Sequence, residues 1–446
     1  MTIYKNKKIA FIGTGISNNA LIRQCLADGN DVTILSKKGD IPQEFSKIKS
    51  VIEEKYIDNL TDFDIIIRSP GMYFNNPNLT KARKNGVIIT SETEIFFNFC
   101  KCKIIAITGS DGKTTTTNLI TEMLKAQGIK AHMGGNCGKE LFSLLDVINN
   151  DDIAVVELSS FQLLSLRYSP YIAVITNVTP NHLDVHGAME EYIEAKKNIF
   201  LHQKEDSITV LNYDNKITNN FTYFIRGTAR HFSIKNKVFN GAYLSDNGYL
   251  CYNNFDKNEI IMHKSQIKLP GMHNIENYLA AISAVYGIVS TENIVQIAEN
   301  FGGVEHRIEF VREINGVKWY NDSIATTPTR VLAGLKSFEQ KLIVIAGGYD
   351  KKIPFESMAE TVNEKVKHLI LFGQTAEKIE NSIRNAQNFG EIFMHRVENL
   401  EQAVDKANEL SENGDIITLS PACAAFDMFK NFEERGEFYK KIVNKL

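Results

Sequence analysis

A strand, a glycine-rich loop and a helix follow one another near residue 109, and this succession constrains the fold more than any other feature. The apolar run KIIAIT, residues 103–108, predicts a buried strand, and the segment after the loop GSDGKTT predicts a helix. Successive backbone N–H groups in such a loop cradle phosphate oxygens, and the start of the helix adds a favourable dipole. The sequence therefore predicts a nucleotide-binding α/β domain.

The side chains of this loop have distinct expected roles. Lys113 is expected to neutralise the β- and γ-phosphates, and the hydroxyl of Thr114 to ligate Mg²⁺. The strict Walker spacing fails, because Ile107 stands where the earlier glycine is required. A plain turn before a helix is the competing interpretation, but the strand, lysine and threonine in this context favour nucleotide binding.

Apolar β-branched runs alternate with helix-length segments along most of the 446 residues, which is typical of α/β folds with parallel sheets. The first block contains KKIAFIG and DVTIL, predicts a helix from Asn18 to Asp28, and ends near Thr90 as a small Rossmann-like domain. The second starts at the phosphate loop and closes with a helix predicted from Asn274 to about Gly287. Within it, residues 212–264 predict short strands or an excursion from the main sheet. The third contains the strands KLIVIAGG, KHLILFG and DIITLSP.

Composition excludes several classes of protein. The formal net charge of −3 provides no basic surface for nucleic acid or for a membrane, and no apolar run approaches the roughly 20 residues of a spanning helix. The start of the chain lacks the features of a signal peptide. Six cysteines are too sparse for a disulfide framework, and Cys100 with Cys102 lacks the second pair of a zinc site. These features predict a cytoplasmic protein with reduced thiols.

Polar residues at the ends of predicted strands have both ordinary and functional interpretations. Glu157 ends IAVVELSS, where it is a capping carboxylate or a second Mg²⁺ ligand opposite the phosphate loop. His182 follows YIAVITNVT, and a structural histidine is the commoner role. No Glu follows it, which argues against a zinc-protease helix. Lys196 lies in EYIEAKKNIF, whose spacing alone predicts a solvated lysine on an exposed helix.

The first glycine turn, GTGIS, falls short of the dinucleotide pattern because Asn18 occupies the third glycine position. It fits a nucleotide diphosphate as well as NAD. Ser36 and Lys37 stand at the end of DVTIL where an NAD-binding domain has an acidic residue, which argues against NAD. Four later polar residues have ordinary interpretations. Asn274 and Asn277 fit helix caps, and Asp322 and Lys351, which follow strand-like runs, fit surface charges.

An ordered set of motifs resembles the Mur ligase family. The motifs are ITGSDGKTT, GGNCG, ELSSFQL, NVTPNHLD, AKKNIF, GMHNIEN, HRIEF, YNDSIATT, AGGYDKK and LSPACAAFDMFKNFEERG, and the match runs from about Gly13 to Phe438. The resemblance implies a Rossmann-like domain for a UDP substrate over residues 1–93. It further implies a central P-loop-type ATPase domain with a mostly parallel sheet over 94–299, and a Rossmann-like amino-acid-binding domain over 300–446.

The motifs ELSSFQL and SPAC…FDMFKNFEERG are similar to those of the family member that uses D-glutamate. The resemblance therefore implies a monomeric, cytoplasmic ligase of peptidoglycan synthesis that joins D-glutamate to UDP-N-acetylmuramoyl-L-alanine through an acyl phosphate. It implies ATP and two Mg²⁺ sites as cofactors, and no nucleic-acid or membrane partner. Lys113, Glu157, His182 and Lys196 would be catalytic, and the metal ligands would be Thr114, Glu157, His182 and a Lys196 carbamylated by CO₂.

The same resemblance implies the binding residues. ATP would be bound by Gly109, Ser110, Asp111, Gly112, Lys113, Thr114, Thr115, Asn274, Asn277, Arg307 and Asp322. The UDP part would be bound by Gly13, Thr14, Gly15, Ser17, Ser36, Lys37, Ser69, Pro70 and Gly71, and the muramoyl part by Asn136, Ser159 and Gln162. D-Glutamate would be bound by Thr326, Lys351, Ala425, Phe426 and Phe432.

Three residues depart from the family pattern. Ile324 stands where lysine is frequent, Ala425 where serine is common, and Ser36 where an acidic residue is usual. Two other functions stay open at this point. A folylpolyglutamate-synthase-like ligase shares the loop but lacks the N-terminal Rossmann-like domain, and a P-loop ATPase or regulatory nucleotide-binding module would need no acceptor.

Overall fold

A computed structural model describes residues 2–37, 39, 41–137, 140–179, 189–255, 257–386, 390 and 392–446. In this part of the chain, three mostly parallel sheets carry the helices, which confirms the α/β class. The chain divides into two compact units, Met1–Gln266 with Ile275–Ile297 and Ile267–Asn274 with Ala298–Leu446. Among the described residues, no helix is both long and apolar enough to cross a membrane. The three domain boundaries remain a prediction.

The first sheet is entirely parallel and has the order β3-β2-β1-β4-β5. Its strands are β1 Lys8–Ile12, β2 Asp31–Ser36, β3 Lys49–Ile52, β4 Ile65–Arg68 and β5 Ile88–Thr90, with helices α1 Ile16–Ala27, α2 Pro77–Lys84 and α3 Glu92–Phe99. The strand order reverses between β1 and β4. Ligands of open α/β sheets bind at such a reversal, beyond the carboxyl ends of the strands.

The second sheet has the order β14-β13-β12-β11-β10-β9-β6-β8-β7. Its strands are β6 Lys103–Thr108, β7 Ala131–Gly135, β8 Ile153–Glu157, β9 Ile172–Ile175, β10 Ile208–Asn212, β11 Thr228–Ser233, β12 Asn240–Leu244, β13 Tyr249–Asn254 and β14 Lys257–His263. Its helical segments are α4 Lys113–Ala126, α5 Ser160–Leu163, α6 Met189–Lys197 and α7 Lys216–Asn220, and then come α8 Met272–Val285 and α9 Thr291–Asn300. Strands β12 to β14 pair antiparallel, so the irregular, aromatic segment extends the sheet rather than leaving it.

The third sheet has the order β15-β16-β20-β17-β18-β19, and only β15 pairs antiparallel among its described strands. Its strands are β15 Glu309–Ile314, β16 Val317–Asn321, β17 Leu342–Gly347, β18 Val366–Phe372, β19 Phe393–Arg396 and β20 Ile416–Leu419. Its helices are α10 Pro328–Leu335, α11 Glu356–Lys365, α12 Ala376–Arg384, α13 Leu400–Leu410 and α14 Phe432–Val443.

Strand β17 shows why the apolar runs fold as central strands. All six of its residues, LIVIAG, are buried, because apolar clusters cover both faces of the sheet. Val344 and Ala346 belong to one cluster, and Ile343 and Ile345 to the other. A strand buried on both faces loses the polar–apolar alternation of a half-exposed strand, and this explains the uninterrupted apolar sequence.

Candidate active site

The phosphate loop joins β6 to α4, as the sequence predicted, and two glycines allow its path. Gly109 has φ of 153° and Gly112 has φ of 77°, values that side chains disfavour. A Cβ atom on Gly109 would overlap the hydroxyl of Thr176, and one on Gly112 would overlap the side-chain oxygen of Asn277 from α8. The loop therefore lies against the segment after β9 on one side and against α8 on the other, and neither glycine position has space for a larger residue.

Residues that follow β9 hold this loop in place. The hydroxyl of Ser110 accepts a hydrogen bond from the backbone N–H of Thr179 at 3.0 Å and pairs with the hydroxyl of Tyr192 at 3.0 Å. The backbone N–H of Asp111 donates to the side-chain oxygen of Asn177 at 2.9 Å. Sequence reasoning did not assign Asn177 or Tyr192, although the polar pair Thr176 and Asn177 directly after β9 was a signal for the former.

Lys113 begins α4 and turns back over the loop. Its ammonium donates to the backbone carbonyls of Gly109 at 3.0 Å and Ser110 at 2.9 Å. The side chain is half-buried. An ammonium held here supplies a positive charge where the terminal phosphates of a nucleotide would lie.

Glu157 ends β8, the strand that pairs with β6 on the side away from β9. Only 1% of the residue is exposed. One carboxylate oxygen accepts a hydrogen bond from the side-chain amide of Asn136 at 2.8 Å. The other is buried without a hydrogen-bond partner among the described residues. A buried carboxylate oxygen with unused acceptor capacity fits a hard cation such as Mg²⁺, which takes oxygen ligands.

Lys196, in α6, is buried rather than solvated, so the prediction from its spacing alone is wrong. It is 1% exposed, and its ammonium donates to the backbone carbonyl of Gly109 at 2.9 Å and lies 3.3 Å from the hydroxyl of Thr108. It also lies 4.6 Å from the ring centre of Tyr192. Burial, followed by the nearby charge of Lys113, lowers the pKa of Lys196 well below its ordinary value.

Other predicted nucleotide-binding residues lie in α4 and α8. Thr114 is half-buried and Thr115 is buried in the first turn of α4. Asn277 accepts a hydrogen bond from the hydroxyl of Thr116 at 3.4 Å. His182 lies outside the described residues, so its predicted role as a metal ligand stays a prediction.

The predicted muramoyl-binding residues follow β7 and β8. Asn136 is exposed and contacts Glu157, whereas Ser159 and Gln162 cap α5 reciprocally. The amide oxygen of Gln162 accepts from the backbone N–H of Ser159 at 2.9 Å, and its NH₂ group donates to Thr93 at 3.4 Å. Their contacts with substrate remain predictions.

The predicted UDP-binding residues lie at the carboxyl ends of β1, β2 and β4. The N–H of Gly13 bonds to the carbonyl of Leu35, and Ser69 lies so close that a Cβ on Gly13 would be 3.1 Å from its hydroxyl. Ser36 accepts a hydrogen bond from the N–H of Gly39 at 3.2 Å. This edge includes the strand-order reversal between β1 and β4. The other predicted residues of this set follow the same strand ends: Thr14, Gly15, Ser17, Lys37, Pro70 and Gly71.

In the second unit, predicted residues gather beyond β16, β17 and β20. Lys351 donates to the hydroxyl of Thr326 at 3.2 Å and to its carbonyl at 3.3 Å. Asp322 is buried, and its carboxylate accepts from the hydroxyl of Ser420 at 3.1 Å and from the N–H of Ile308 at 3.3 Å. The structure thus brings Thr326 and Lys351 together.

Arg435, in α14, is a buried cation that sequence reasoning missed. Its guanidinium donates to the hydroxyl and carbonyl of Ser323 and to the carbonyls of Cys423 and Ala424, at 2.9 to 3.1 Å. It therefore ties the segment after β16 to the segment after β20. Its position in an otherwise ordinary charged helix sequence, FEERG, gave no signal of this role.

Other predicted residues of this unit differ in exposure. Ala425 is buried, Phe426 is 63% exposed with its ring 5.9 Å from that of Tyr349, and Phe432 is half-buried. Two predicted nucleotide-binding residues complete the set. Arg307 is half-buried, and the buried amide of Asn274 donates to the carbonyl of Pro270 at 2.6 Å.

Changing Gly112 to alanine should disturb the phosphate loop specifically. The added Cβ would have a disfavoured φ and would overlap Asn277. We expect turnover to fall about 10²-fold, since small displacements of a positioned substrate have effects of that size. Gly128→Ala is the matched control, because Gly128 has φ of 82° but open space around its Cβ. ATP turnover would be measured under conditions in which both variants are fully folded. Equal turnover of the two variants would show that the conformation of the loop at Gly112 does not matter for activity.

The pKa of Asp322 predicts a pH-dependent stability. Burial raises this pKa to about 7, above the ordinary value of about 3.9 in an unfolded chain. The folded state therefore binds the proton more tightly than the unfolded state does. The resulting stabilisation of the folded state is complete below about pH 4 and is lost as the pH rises through about 7. The shift corresponds to roughly 4 kcal/mol at most.

Asp322→Asn should remove this contribution to the pH dependence. Urea unfolding followed by the fluorescence of Trp319, the single tryptophan and a buried residue of the same unit, measures the effect. The variant should lose less stability than the wild type between pH 5 and 8. An unchanged slope would show that Asp322 does not titrate in this range.

Two family models match parts of this chain. The family model described as the Mur ligase middle domain matches residues 107–285, and the model described as the Mur ligase glutamate ligase domain matches residues 306–423. Solved structures with the same fold include the UDP-N-acetylmuramate-alanine ligase MurC of Thermotoga maritima, with a TM-score of 0.58 at 20% identity, over 99% of this chain and 100% of that chain. A pseudomurein peptide ligase type C of Methanothermus fervidus gives 0.53 at 19% identity, with the same coverage.

The chain belongs to the Mur ligase family. Among its relatives is the UDP-N-acetylmuramoylalanine--D-glutamate ligase of Clostridium kluyveri, which is 50% identical over 449 residues, 99% of this chain and 97% of that relative. A relative with the same name from Acetivibrio thermocellus is 48% identical over 458 residues, again with 99% and 97% coverage. The similarity therefore includes the first sheet, which the matched family models leave out.

Proposed function

We propose that the protein is an ATP-dependent ligase that joins D-glutamate to the L-alanine carboxylate of UDP-N-acetylmuramoyl-L-alanine, a cytoplasmic step of peptidoglycan synthesis. The observation that supports this most is that the side chains of Lys113 and Lys196 both donate hydrogen bonds to the backbone carbonyl of Gly109. The carboxylate of Glu157 ends the strand next to this loop. This arrangement occurs in a chain that is 50% identical to a ligase of that name.

The reaction needs two displacements, because a carboxylate at neutral pH is a poor electrophile. First, a carboxylate oxygen attacks the γ-phosphorus of ATP, an O–P bond forms, the bond to the β-phosphate oxygen breaks, and ADP leaves. Then the amine of D-glutamate attacks the acyl carbon and loses a proton, and phosphate leaves with one oxygen of the original carboxylate. Lys113 and the loop N–H groups hold the phosphates in line and offset their charge.

The residues at the carboxyl ends of β6 and β8 fit Mg²⁺, which the family uses. Glu157 offers its unpaired carboxylate oxygen, and the hydroxyl of Thr114 lies at the start of α4. When bound, Mg²⁺ reduces the repulsion between the substrate carboxylate and the γ-phosphate. We assign Thr114 and Glu157 to one ion, and His182 with a carbamylated Lys196 to the second.

The environment of Lys196 supports the proposed carbamylation. Its lowered pKa favours the neutral amine, whose lone pair attacks the carbon of CO₂ to form a carbamate with release of one proton. The product replaces a cation with an oxygen ligand that a metal ion can use. An unmodified ammonium has no lone pair and cannot serve as a ligand.

The other substrate groups are assigned to the remaining predicted residues. The UDP part binds at the carboxyl ends of β1, β2 and β4, and the muramoyl part contacts Asn136, Ser159 and Gln162. Asn274, Asn277, Arg307 and Asp322 contact the nucleotide. Lys351 pairs with a carboxylate of D-glutamate, which Thr326, Phe426, Phe432 and the backbone of Ala425 help to position. The protein acts as a monomer.

Phosphate release with defined substrates tests the proposal. Turnover should require both UDP-N-acetylmuramoyl-L-alanine and D-glutamate, with L-glutamate and other D-amino acids inactive or much slower. Dependence on a folate acceptor would indicate a folylpolyglutamate-synthase-like ligase instead. ATP hydrolysis without any acceptor would indicate an ATPase or a regulatory nucleotide-binding module.

A further inference from the structure

Two histidines face each other at the edge of the third sheet, among residues to which the proposed reaction assigns no role. His368 lies in β18 and His395 in the edge strand β19, and the two strands pair in parallel. Nδ1 of His368 lies 3.3 Å from Nε2 of His395. Both side chains are half-exposed, so solvent reaches the pair.

The distance between the two nitrogens is the distance that a tetrahedral metal ion requires. Zinc binds imidazole nitrogen at about 2.0 to 2.1 Å, and two ligands at the tetrahedral angle are then about 3.3 to 3.4 Å apart. A metal ion could therefore bind between the rings without movement of the strands. The alternative is an N–H···N hydrogen bond, in which one ring carries its proton on the facing nitrogen.

The surroundings keep both rings able to bind a metal ion. Burial, followed for His368 by the charge of His395 and for His395 by that of Lys406, lowers the pKa of both histidines, which favours the neutral ligand form. Phe393 stacks on His368 with ring centres 5.3 Å apart and limits its rotation.

Charged groups of both signs surround the pair. The neighbouring cations are Lys367, which bonds to Asp415 at 2.6 Å, and Lys406, which bonds to Glu409 at 2.9 Å. The carboxylates that act on the histidines are those of Glu409, Glu412 and Asp415. These carboxylates offset the two lysines, so the pair does not lie in a purely positive field.

We propose that His368 and His395 form a binding site for a divalent transition-metal ion of the zinc type. Imidazole selects Zn²⁺, Ni²⁺ or Cu²⁺ over Mg²⁺, which prefers oxygen ligands. Solvent occupies the remaining coordination positions. The bound ion fastens the four-residue strand β19 to β18. This site is independent of the proposed ligase reaction.

Zinc titration of the full-length protein tests the site, with Mg²⁺ in excess to occupy oxygen-rich sites. His368→Gln and His395→Gln should each lose one equivalent of Zn²⁺, or bind it at least about tenfold more weakly, since even outer ligand partners have effects of this size. His202→Gln, a change of an exposed histidine in the other unit, is the matched control and should bind Zn²⁺ as the wild type does. Unchanged zinc affinity and stoichiometry in both variants of the pair would overturn the proposal.

Two further measurements keep the test independent of variant folding. Zn²⁺ should raise the Tm reported by Trp319 in the wild type but not in the two variants. In ¹⁵N-histidine spectra of the wild type, the signals of His368 and His395 should shift together at one equivalent of bound Zn²⁺. Zinc-dependent shifts that spare both residues would place the ion elsewhere and refute the site.

Discussion

Lys113→Ala is expected to lower turnover by about 10³-fold or more, because it removes the ammonium that lies on the phosphate loop. Charge stabilisation at transferring phosphates is worth this much in a site that excludes water. Lys113 donates to two carbonyls of the loop, and we expect the fold to survive its loss. Steady-state kinetics under saturating substrates and circular dichroism measure the two effects separately.

Lys125→Ala is the matched control for this change. Lys125 lies on the same helix, α4, and its exposed ammonium bonds to Glu122 at 2.8 Å. Its removal should leave turnover within about twofold, since exposed ion pairs contribute little. If Lys113→Ala retained near-normal turnover, the loop would not act on phosphates in the way proposed.

Lys196→Ala is expected to lose activity to a similar extent, about 10³-fold, and to recover part of it with a small carboxylate such as acetate or formate. The carboxylate would enter the cavity left by the side chain and supply the oxygen ligand of the proposed carbamate. Activity measured against carboxylate concentration gives the rescue. A ¹³CO₂-labelled wild type should show a carbamate carbon signal that the variant lacks.

The neighbouring Lys197→Ala variant controls for loss of charge on α6. The ammonium of Lys197 bonds to Glu194 at 2.7 Å. The Lys197→Ala variant should keep normal activity and show no response to added carboxylate. Full activity of Lys196→Ala without rescue, or equal rescue of both variants, would refute the carbamate.

The sequence predicted the parts of the fold that depend on local pattern. Strands such as β17 are buried on both faces and carry uninterrupted apolar residues, so their positions were evident. The turn after β6 was predicted because glycines, a lysine and a threonine follow an apolar run there. Helix ends were less certain: the helix predicted from Asn274 to Gly287 spans Met272–Val285.

Features that depend on distant contacts were not predictable in the same way. Lys196 lies in a sequence of charged residues, and only the packing of α6 against the loop after β6 shows that it is buried. Arg435 and Tyr192 likewise gain their roles from partners far along the chain. Periodicity identifies the face of a helix but not which partner covers it. The role proposed for Lys196 comes from the family resemblance, because the spacing of its sequence indicated none.

Oxygen-isotope transfer shows whether the substrate carboxylate is activated as an acyl phosphate. UDP-N-acetylmuramoyl-L-alanine labelled with ¹⁸O in its L-alanine carboxylate would be incubated with the enzyme, ATP, Mg²⁺ and D-glutamate. An acyl phosphate requires that the released phosphate carry one ¹⁸O atom from the substrate for each amide bond formed, detected by mass spectrometry. Unlabelled phosphate released together with amide product would contradict activation of the carboxylate as an acyl phosphate.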